Sequence, residues 1–395
     1  MSWLQTQPFH VMAKPAGAAC NLDCSYCFYL EKSALYETNG PTRMSPERLE
    51  MFIREYIQSQ NTETITFAWQ GGEPTLMGVD FFRQAVTLQQ RYANGHKIEN
   101  SLQTNGTRLN DEWCSFLAET HFLVGISIDG PKPYHDRFRL TRSGAGSFDD
   151  VMRGLSCLRK HNVEFNTMTC VHRGNENAGR EVYRFLRKNG SRYMQFIPIV
   201  ERIPAEAGSC KHGLKLAAPG DEEAAVTTWS VSPKGHGRFL SDVFDEWKKK
   251  DVGRYFVRDF DCALGNWLNM GSSMCTHAET CGRALALEHD GYVYSCDHYV
   301  YPEYRLGRLG ESPLSSMVDL PQQKTFGETK KTELCTKCNS CHYRFACGGD
   351  CPKHRFVEQA GEPHKLSYLC PGYMHFFSHI KPTMEKMANE WRKNH

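Results

Sequence analysis

Cys20-Asn21-Leu22-Asp23-Cys24-Ser25-Tyr26-Cys27 places three thiols within eight residues, in a C-x3-C-x2-C array. The array directly follows an apolar, strand-like run at Phe9–Met12. Three thiolates this close together can wrap one cubane iron–sulfur cluster and leave its fourth iron open to a ligand. A structural zinc site usually takes four protein ligands, and no fourth thiol is nearby. The stretch therefore reads as an open-iron centre at the end of a first strand.

Working outward, further strand-like runs appear at Ile65–Trp69, Ile98–Thr104, Phe122–Ile128, Phe165–Val171 and Tyr193–Val200. Amphipathic helical stretches lie between them. One begins at Ser45-Pro46, an N-cap with proline at the first helical position, and another runs through Val151–Lys160. Six strands alternating with helices predict an α/β fold with a parallel sheet, open or closed into a barrel; periodicity does not choose between the two. Polar motifs sit at the ends of these strands: Gln70-Gly71-Gly72-Glu73-Pro74, then Gln103-Thr104-Asn105-Gly106, then Ser127 and Asp129. Folds of this kind place their sites at the C-terminal ends of parallel strands. Glycines let backbone approach a ligand closely, and Glu73 offers a carboxylate to an ammonium group, although a glycine pair before proline also reads simply as a turn.

Residues 201–250 break the alternation. Ala205–Gly208 and Leu214–Glu223 read as loop and Phe239–Lys250 as a helix, together a bridge. Beyond about residue 254, Asp290-Gly291 signals a hairpin between Ala284–Glu288 and Tyr292–Cys296. Long loops with few periodic segments are expected after it, and so loop-rich a region needs staples besides a core. Cys338, Cys341, Cys347 and Cys351 form a C-x2-C-x5-C-x3-C array, with Cys370 beyond it and Cys275, Cys281 and Cys296 before it. Eight thiols suffice for two closed [4Fe–4S] clusters, and a pair of zinc sites would use the same residues. Cys114, Cys157, Cys170, Cys210, Cys262 and Cys335 read as small buried hydrophobes. Cys335 stands three residues before Cys338 and could compete with it, but the gap pattern favours Cys338.

The 395 residues suffice for two or three domains and have the composition of a soluble globular protein. A net charge of +2 gives no reason to expect a nucleic-acid partner. Short basic runs such as Arg137-Phe138-Arg139 and Lys248-Lys249-Lys250 read as solvated faces. No apolar run approaches the roughly 18 residues of a membrane helix, and the N-terminus lacks a signal peptide. A cytoplasmic protein without a membrane partner is expected. Seventeen cysteines, an odd number in a long chain without an export signal, fit metal ligation better than a disulfide framework.

The Cys20 array, with Tyr26, Phe28 and Tyr29 around its last cysteine, resembles the radical S-adenosylmethionine superfamily. The later cysteines resemble the auxiliary-cluster SPASM domain of peptide and sulfatase maturases. Three further stretches, Phe67-Ala68-Trp69-Gln70-Gly71-Gly72-Glu73-Pro74-Thr75, Asn100–Thr107 and Cys296-Asp297-His298-Tyr299 before Arg305-Leu306-Gly307, narrow the resemblance to anaerobic sulfatase-maturating enzymes. It runs from about Phe9 to Tyr373 and is weakest over residues 201–250.

The resemblance implies a partial (β/α)6 barrel over residues 1–235, then a bridging helix and a cysteine-rich domain over 236–395. It implies S-adenosylmethionine and three [4Fe–4S] clusters as cofactors. Cys20, Cys24 and Cys27 would hold the first cluster, Cys275, Cys281, Cys296 and Cys351 the second, and Cys338, Cys341, Cys347 and Cys370 the third. Cofactor contacts carry over to Tyr26, Gly72, Ser127, Arg139 and Val200, and Glu73 lies in the segment that holds the cofactor's amino group. Asp297 would be the base, a carboxylate of raised pKa accepting the substrate's thiol or hydroxyl proton. His298 beside it could tune it or be an ordinary exposed histidine. The implied activity is dioxygen-free oxidation of a cysteine or serine in a sulfatase C/S-x-P-x-R motif to Cα-formylglycine. The implied partners are an unfolded or nascent sulfatase and a low-potential electron donor such as flavodoxin or ferredoxin. A rival within the superfamily is a maturase forming thioether or carbon–carbon crosslinks in a ribosomal peptide. Such enzymes commonly carry an N-terminal peptide-recognition domain, and only nineteen residues precede Cys20. A non-enzymatic electron-transfer or zinc-binding protein would not need the three-cysteine array.

Overall fold

The structure, a computed structural model, describes residues 7–36, 40–205 and 216–394. Cys210 and parts of both expected loops, Ala205–Gly208 and Leu214–Glu223, lie outside the described residues.

The chain alternates strand and helix through β1 (His10–Lys14), α1 (Pro46–Gln58), β2 (Thr64–Trp69), α2 (Val79–Tyr92), β3 (Lys97–Thr104), α3 (Asp111–Glu119) and β4 (Leu123–Ser127). It continues through α4 (Lys132–His135), α5 (Phe148–Lys160), β5 (Phe165–Val171), α6 (Gly179–Lys188) and β6 (Tyr193–Pro198). Each strand pairs in parallel with the next, and β1 and β6 do not meet, so the sheet is open. Helix α1 shows how the sequence builds the outer layer. Ser45 Oγ accepts the Arg48 amide at 3.3 Å and Pro46 opens the first turn. Leu49, Phe52, Ile53, Tyr56 and Ile57 then recur at helical spacing and are buried. Phe52 meets Phe67 and Trp69 of β2 edge to face, which locks helix to sheet.

A two-stranded ribbon, β7 (Arg202–Ile203) and β8 (Ala225–Val226), precedes the bridging helix α7 (Pro233–Lys250), β9 (Phe256–Val257) and α8 (Arg258–Trp267). Helix α7 starts six residues before the expected Phe239, because Ser232 caps the Gly235 amide and Pro233 takes the first position. The cysteine-rich half is not separate from the sheet. Strand β10 (Ala284–Glu288) pairs in parallel with β1, His10 with Ala284 through Lys14 with Glu288. The expected hairpin forms with β11 (Tyr292–Tyr294), and β12 (Arg305–Arg308) completes ten strands in the order β12-β11-β10-β1-β2-β3-β4-β5-β6-β9.

The expectation of long loops near the C-terminus fails at α13, reached after α9 (Leu314–Val318), α10 (Pro321–Thr332), α11 (Thr336–Asn339), α12 (Arg344–Cys347) and a small hairpin, β13 (Arg355–Val357) with β14 (Leu366–Ser367). Helix α13 spans Cys370–Asn394 and packs on α7, burying Tyr373, Phe376, Phe377, Ile380, Met384 and Ala388. That spacing is helical. No helix among the described residues is long and apolar enough to cross a membrane.

Candidate active site and metal-binding cysteines

The loop after β1 presents Cys20, Cys24 and Cys27, all half-buried. The Leu22 amide approaches Cys20 Sγ at 3.4 Å, the Asn105 side-chain amide reaches the same sulfur at 3.7 Å, and the Cys27 amide donates to the Cys24 carbonyl at 2.9 Å. Burial, then the Glu73 charge, pushes the Cys20 thiol up to about 12. Burial also lifts Cys24 well above the ordinary range, and the other two sulfurs add to it. Three converging thiols that repel one another as bare thiolates suit an iron–sulfur cluster, which takes up their charge.

Gly72 sits directly behind this loop. Its amide donates to the Gly17 carbonyl and the Glu73 amide to the Ala19 carbonyl, both at 2.8 Å. A Cβ on residue 72 would lie 2.1 Å from the Ala19 oxygen. The glycine is thus required by close approach of two backbones. Glu73 also has protein partners. Its carboxylate is fully buried and accepts the Thr75 amide (2.9 Å), Thr75 Oγ1 (2.6 Å), Thr104 Oγ1 (2.8 Å) and the Asn105 amide (2.7 Å). Both oxygens are occupied, so the side chain ties the β2 and β3 loops together.

Tyr26 and Arg139 converge on Asp129. Asp129 Oδ2 accepts the Tyr26 hydroxyl at 2.5 Å and Arg139 Nε at 3.0 Å, while Oδ1 takes the Cys170 amide at 2.9 Å. Burial opposes ionisation of Asp129, but Arg139 and neighbouring histidines outweigh it and hold the carboxyl below its ordinary range. Arg139 is therefore a buried ion-pair member and no solvated face, unlike Lys248 to Lys250, which are exposed. Ser127 Oγ accepts Gln103 Nε2 at 3.0 Å. Val200 is buried and lines a cleft with Phe28, Lys32, Glu201, His298 and Lys353.

Asp297 follows β11 and touches the ends of two other strands. Lys14, the last residue of β1, forms a buried ion pair with Asp297 Oδ1, and Gln70 Nε2 donates to Oδ2 at 3.2 Å. Lys14 is 1 % exposed. Burial alone would raise the Asp297 pKa, as expected from sequence; the Lys14 ammonium reverses this and holds the group below its ordinary range. Lys14 was not legible as a site residue. Its only sequence signal is a lysine closing an otherwise apolar strand. His298 stacks edge to face on Phe28 with ring centroids 5.2 Å apart, and burial, with Lys353 beside it, holds its pKa down to about 3.

None of the sixteen described cysteines forms a disulfide. Cys338, Cys341, Cys347 and Cys370 line one cavity of about 140 Å³. Cys335 is buried and does not line that cavity, but it lies close enough to Cys338 and Cys370 for its charge to add to the burial that pushes both thiols up. Cys275, Cys281, Cys296 and Cys351 come close enough for their charges to repel: Cys296 feels Cys351 and Cys275, and Cys281 and Cys351 each feel Cys275. The donor chemistry of both quartets suits closed clusters.

Residues 15–186 match the radical SAM superfamily and residues 275–342 an iron–sulfur cluster-binding domain. The chain is 46% identical over 386 residues to a serine-type anaerobic sulfatase-maturating enzyme of Bacteroides thetaiotaomicron, covering 97% of this chain and 92% of the relative. It is 32% identical to a cysteine-type anaerobic sulfatase-maturating enzyme of Clostridium perfringens, covering 97% and 99%. The fold superposes on native anSMEcpe with bound AdoMet and Cp18Cys peptide with a TM-score of 0.84 at 31% identity, covering 97% of this chain and 99% of that one. This chain belongs to the anaerobic sulfatase-maturating enzymes of the radical SAM superfamily.

Proposed function

We propose that this enzyme oxidises a cysteine or serine in a sulfatase C/S-x-P-x-R motif to Cα-formylglycine without dioxygen, within a core of residues 1–235 and a bridge and auxiliary-cluster domain of residues 236–395. The observation that carries the reading is Asp297, a buried carboxylate directly after Cys296, paired with Lys14 and touched by Gln70.

Three [4Fe–4S] clusters and S-adenosylmethionine, when bound, supply the hydrogen-abstracting radical and the path for the second electron. Cys20, Cys24 and Cys27 would hold the first cluster with its open iron. Cys275, Cys281, Cys296 and Cys351 would hold the second, and Cys338, Cys341, Cys347 and Cys370 the third. Tyr26, Gly72, Ser127, Arg139 and Val200 would contact the cofactor, and the backbone at Gly71–Glu73 would take its ammonium group. Lys14 keeps Asp297 ionised and occupies Oδ1. Oδ2, held among the described residues only by Gln70, is the oxygen that accepts the substrate's thiol or hydroxyl proton. Removing such a base slows a reaction by about 10²–10⁴-fold. A sulfatase segment is the protein partner, and a low-potential flavodoxin or ferredoxin is the electron donor.

The test is anaerobic incubation of reconstituted enzyme, reductant and S-adenosylmethionine with Cys-x-Pro-x-Arg and Ser-x-Pro-x-Arg peptides. Formylglycine matched by 5′-deoxyadenosine supports the reading. Cofactor cleavage without oxidation of either peptide refutes it and favours the crosslinking maturase. About twelve irons per chain are expected; eight or fewer after full reconstitution would remove one cluster. Asp297→Asn should retain iron and cofactor cleavage while losing peptide oxidation.

A further inference from the structure

Two cysteines outside all three cluster sets face each other on the outer helical layer. Asp111 opens α3 and Cys114 follows one turn later; Cys157 lies in the last turn of α5 and His161 immediately follows that helix. The sequence pattern is Asp-x2-Cys on one helix and Cys-x3-His on its neighbour. Spacings of three and four residues put each pair on one helix face.

Three of the four side chains already converge. Asp111 Oδ1 lies 2.6 Å from His161 Nε2 and 3.7 Å from Cys157 Sγ. The ligand atoms of Asp111, Cys157 and His161 all lie within 4.8 Å of one another. The fully buried Cys114 lies close enough to Cys157 that burial and then this neighbour push its thiol up, and so it offers a second sulfur. His161 Nδ1 lies 3.4 Å from Ser115 Oγ, which leaves Nε2 as the nitrogen aimed at the cluster. A ligating histidine ordinarily has its other ring nitrogen fixed in this way. Lys160 Nζ sits 2.7 Å from Asp111 Oδ1, but it is two-thirds exposed and free to swing into solvent.

We infer that Asp111, Cys114, Cys157 and His161 form a tetrahedral zinc site that clamps α3 to α5, apart from every cysteine assigned to a cluster. Two sulfurs, one imidazole and one carboxylate are a zinc donor set. Two thiols are too few for a closed cubane cluster, which takes four. On binding, Zn²⁺ replaces the two thiol protons, which leave to solvent, and the Lys160 ammonium moves off Asp111. No oxidant or reductant is needed.

The experiment uses the reconstituted holoenzyme, supplied anaerobically with one equivalent of Zn²⁺ and desalted. Zinc and iron are counted by mass spectrometry, and zinc K-edge absorption reads the ligands. The expected result is about one zinc per chain with two sulfurs near 2.3 Å and two nitrogen or oxygen neighbours near 2.0–2.1 Å. Cys157→Ser and His161→Asn should each retain at least fivefold less zinc with unchanged iron and cofactor cleavage. His161→Asn changes only the residue capping the helix, so it reports even if the cysteine variant folds poorly. Equal zinc in parent and both variants, an all-sulfur shell, or no zinc retained by the parent would each overturn the site. Because zinc and iron are counted separately, failure here is distinct from failure of the three-cluster reading.

Discussion

A double-mutant cycle on Lys14 and Asp297 tests whether the two halves of the chain share one buried ion pair. Lys14→Met leaves the Asp297 carboxylate buried without its cation, and Asp297→Asn leaves the Lys14 ammonium without its anion. Breaking a buried pair from one side costs about 3–5 kcal/mol, because an uncompensated charge stays behind. Replacing both partners by neutral groups costs much less, and Gln70 still has an amide oxygen to meet at position 297. The unfolding entropy of roughly 2.1 cal/mol/K per residue gives about 0.8 kcal/mol/K for 395 residues. Each single variant should therefore lose about 4–6 °C in Tm, and the double variant about 2 °C or less. The assay is anaerobic calorimetry on samples matched for iron. Strict additivity, with the double variant losing as much as the two singles together, would refute the idea that Lys14 holds Asp297 in place.

Other expectations follow from single contacts. Gly72→Ala drives a Cβ into the Ala19 carbonyl, so it should displace the Cys20 loop and lose about four of twelve irons on reconstitution. Cys338→Ser should lose a similar amount, whereas Cys335→Ser should keep full iron, since only Cys338 lines the shared cavity; equal losses would restore Cys335 as a ligand. Asp259 is buried and burial raises its pKa from 3.8 to about 7. The native state therefore keeps its proton where the unfolded chain has lost it, and stability falls as pH rises from about 4 to 7. Asp259→Asn should remove that slope, raising Tm by several degrees at pH 8 and leaving it unchanged near pH 4; a parallel shift at both pH values would refute the assignment.

The sheet and the cluster cysteines were legible because short-range patterns write them: period-two runs for strands, fixed gaps for thiols around one metal. Asp297 was legible only through its place after Cys296. Its electrostatics were not, because the deciding partner, Lys14, lies 283 residues away and looks like an ordinary strand-end lysine. The contacts of Glu73 were hidden for a related reason. The motif reveals a carboxylate beside glycines, but not that Thr104 and Asn105 of the next strand's loop occupy it. Helix α13 was hidden because its apolar stripe is interrupted by His375, His379 and Pro382, while Tyr373, Phe376, Phe377 and Ile380 keep the helical interval. Openness of the sheet was beyond periodicity altogether, since it depends on which strands cover the outer edge of β1.

That edge has a consequence for how the protein is made. His10 pairs with Ala284, a partner synthesised 274 residues later. At about 5–20 residues per second, roughly 14–55 s separate the two on the ribosome. During that interval the outer edge of β1 is an unpaired strand, the kind of surface that invites aggregation, and Lys14 has no counter-charge.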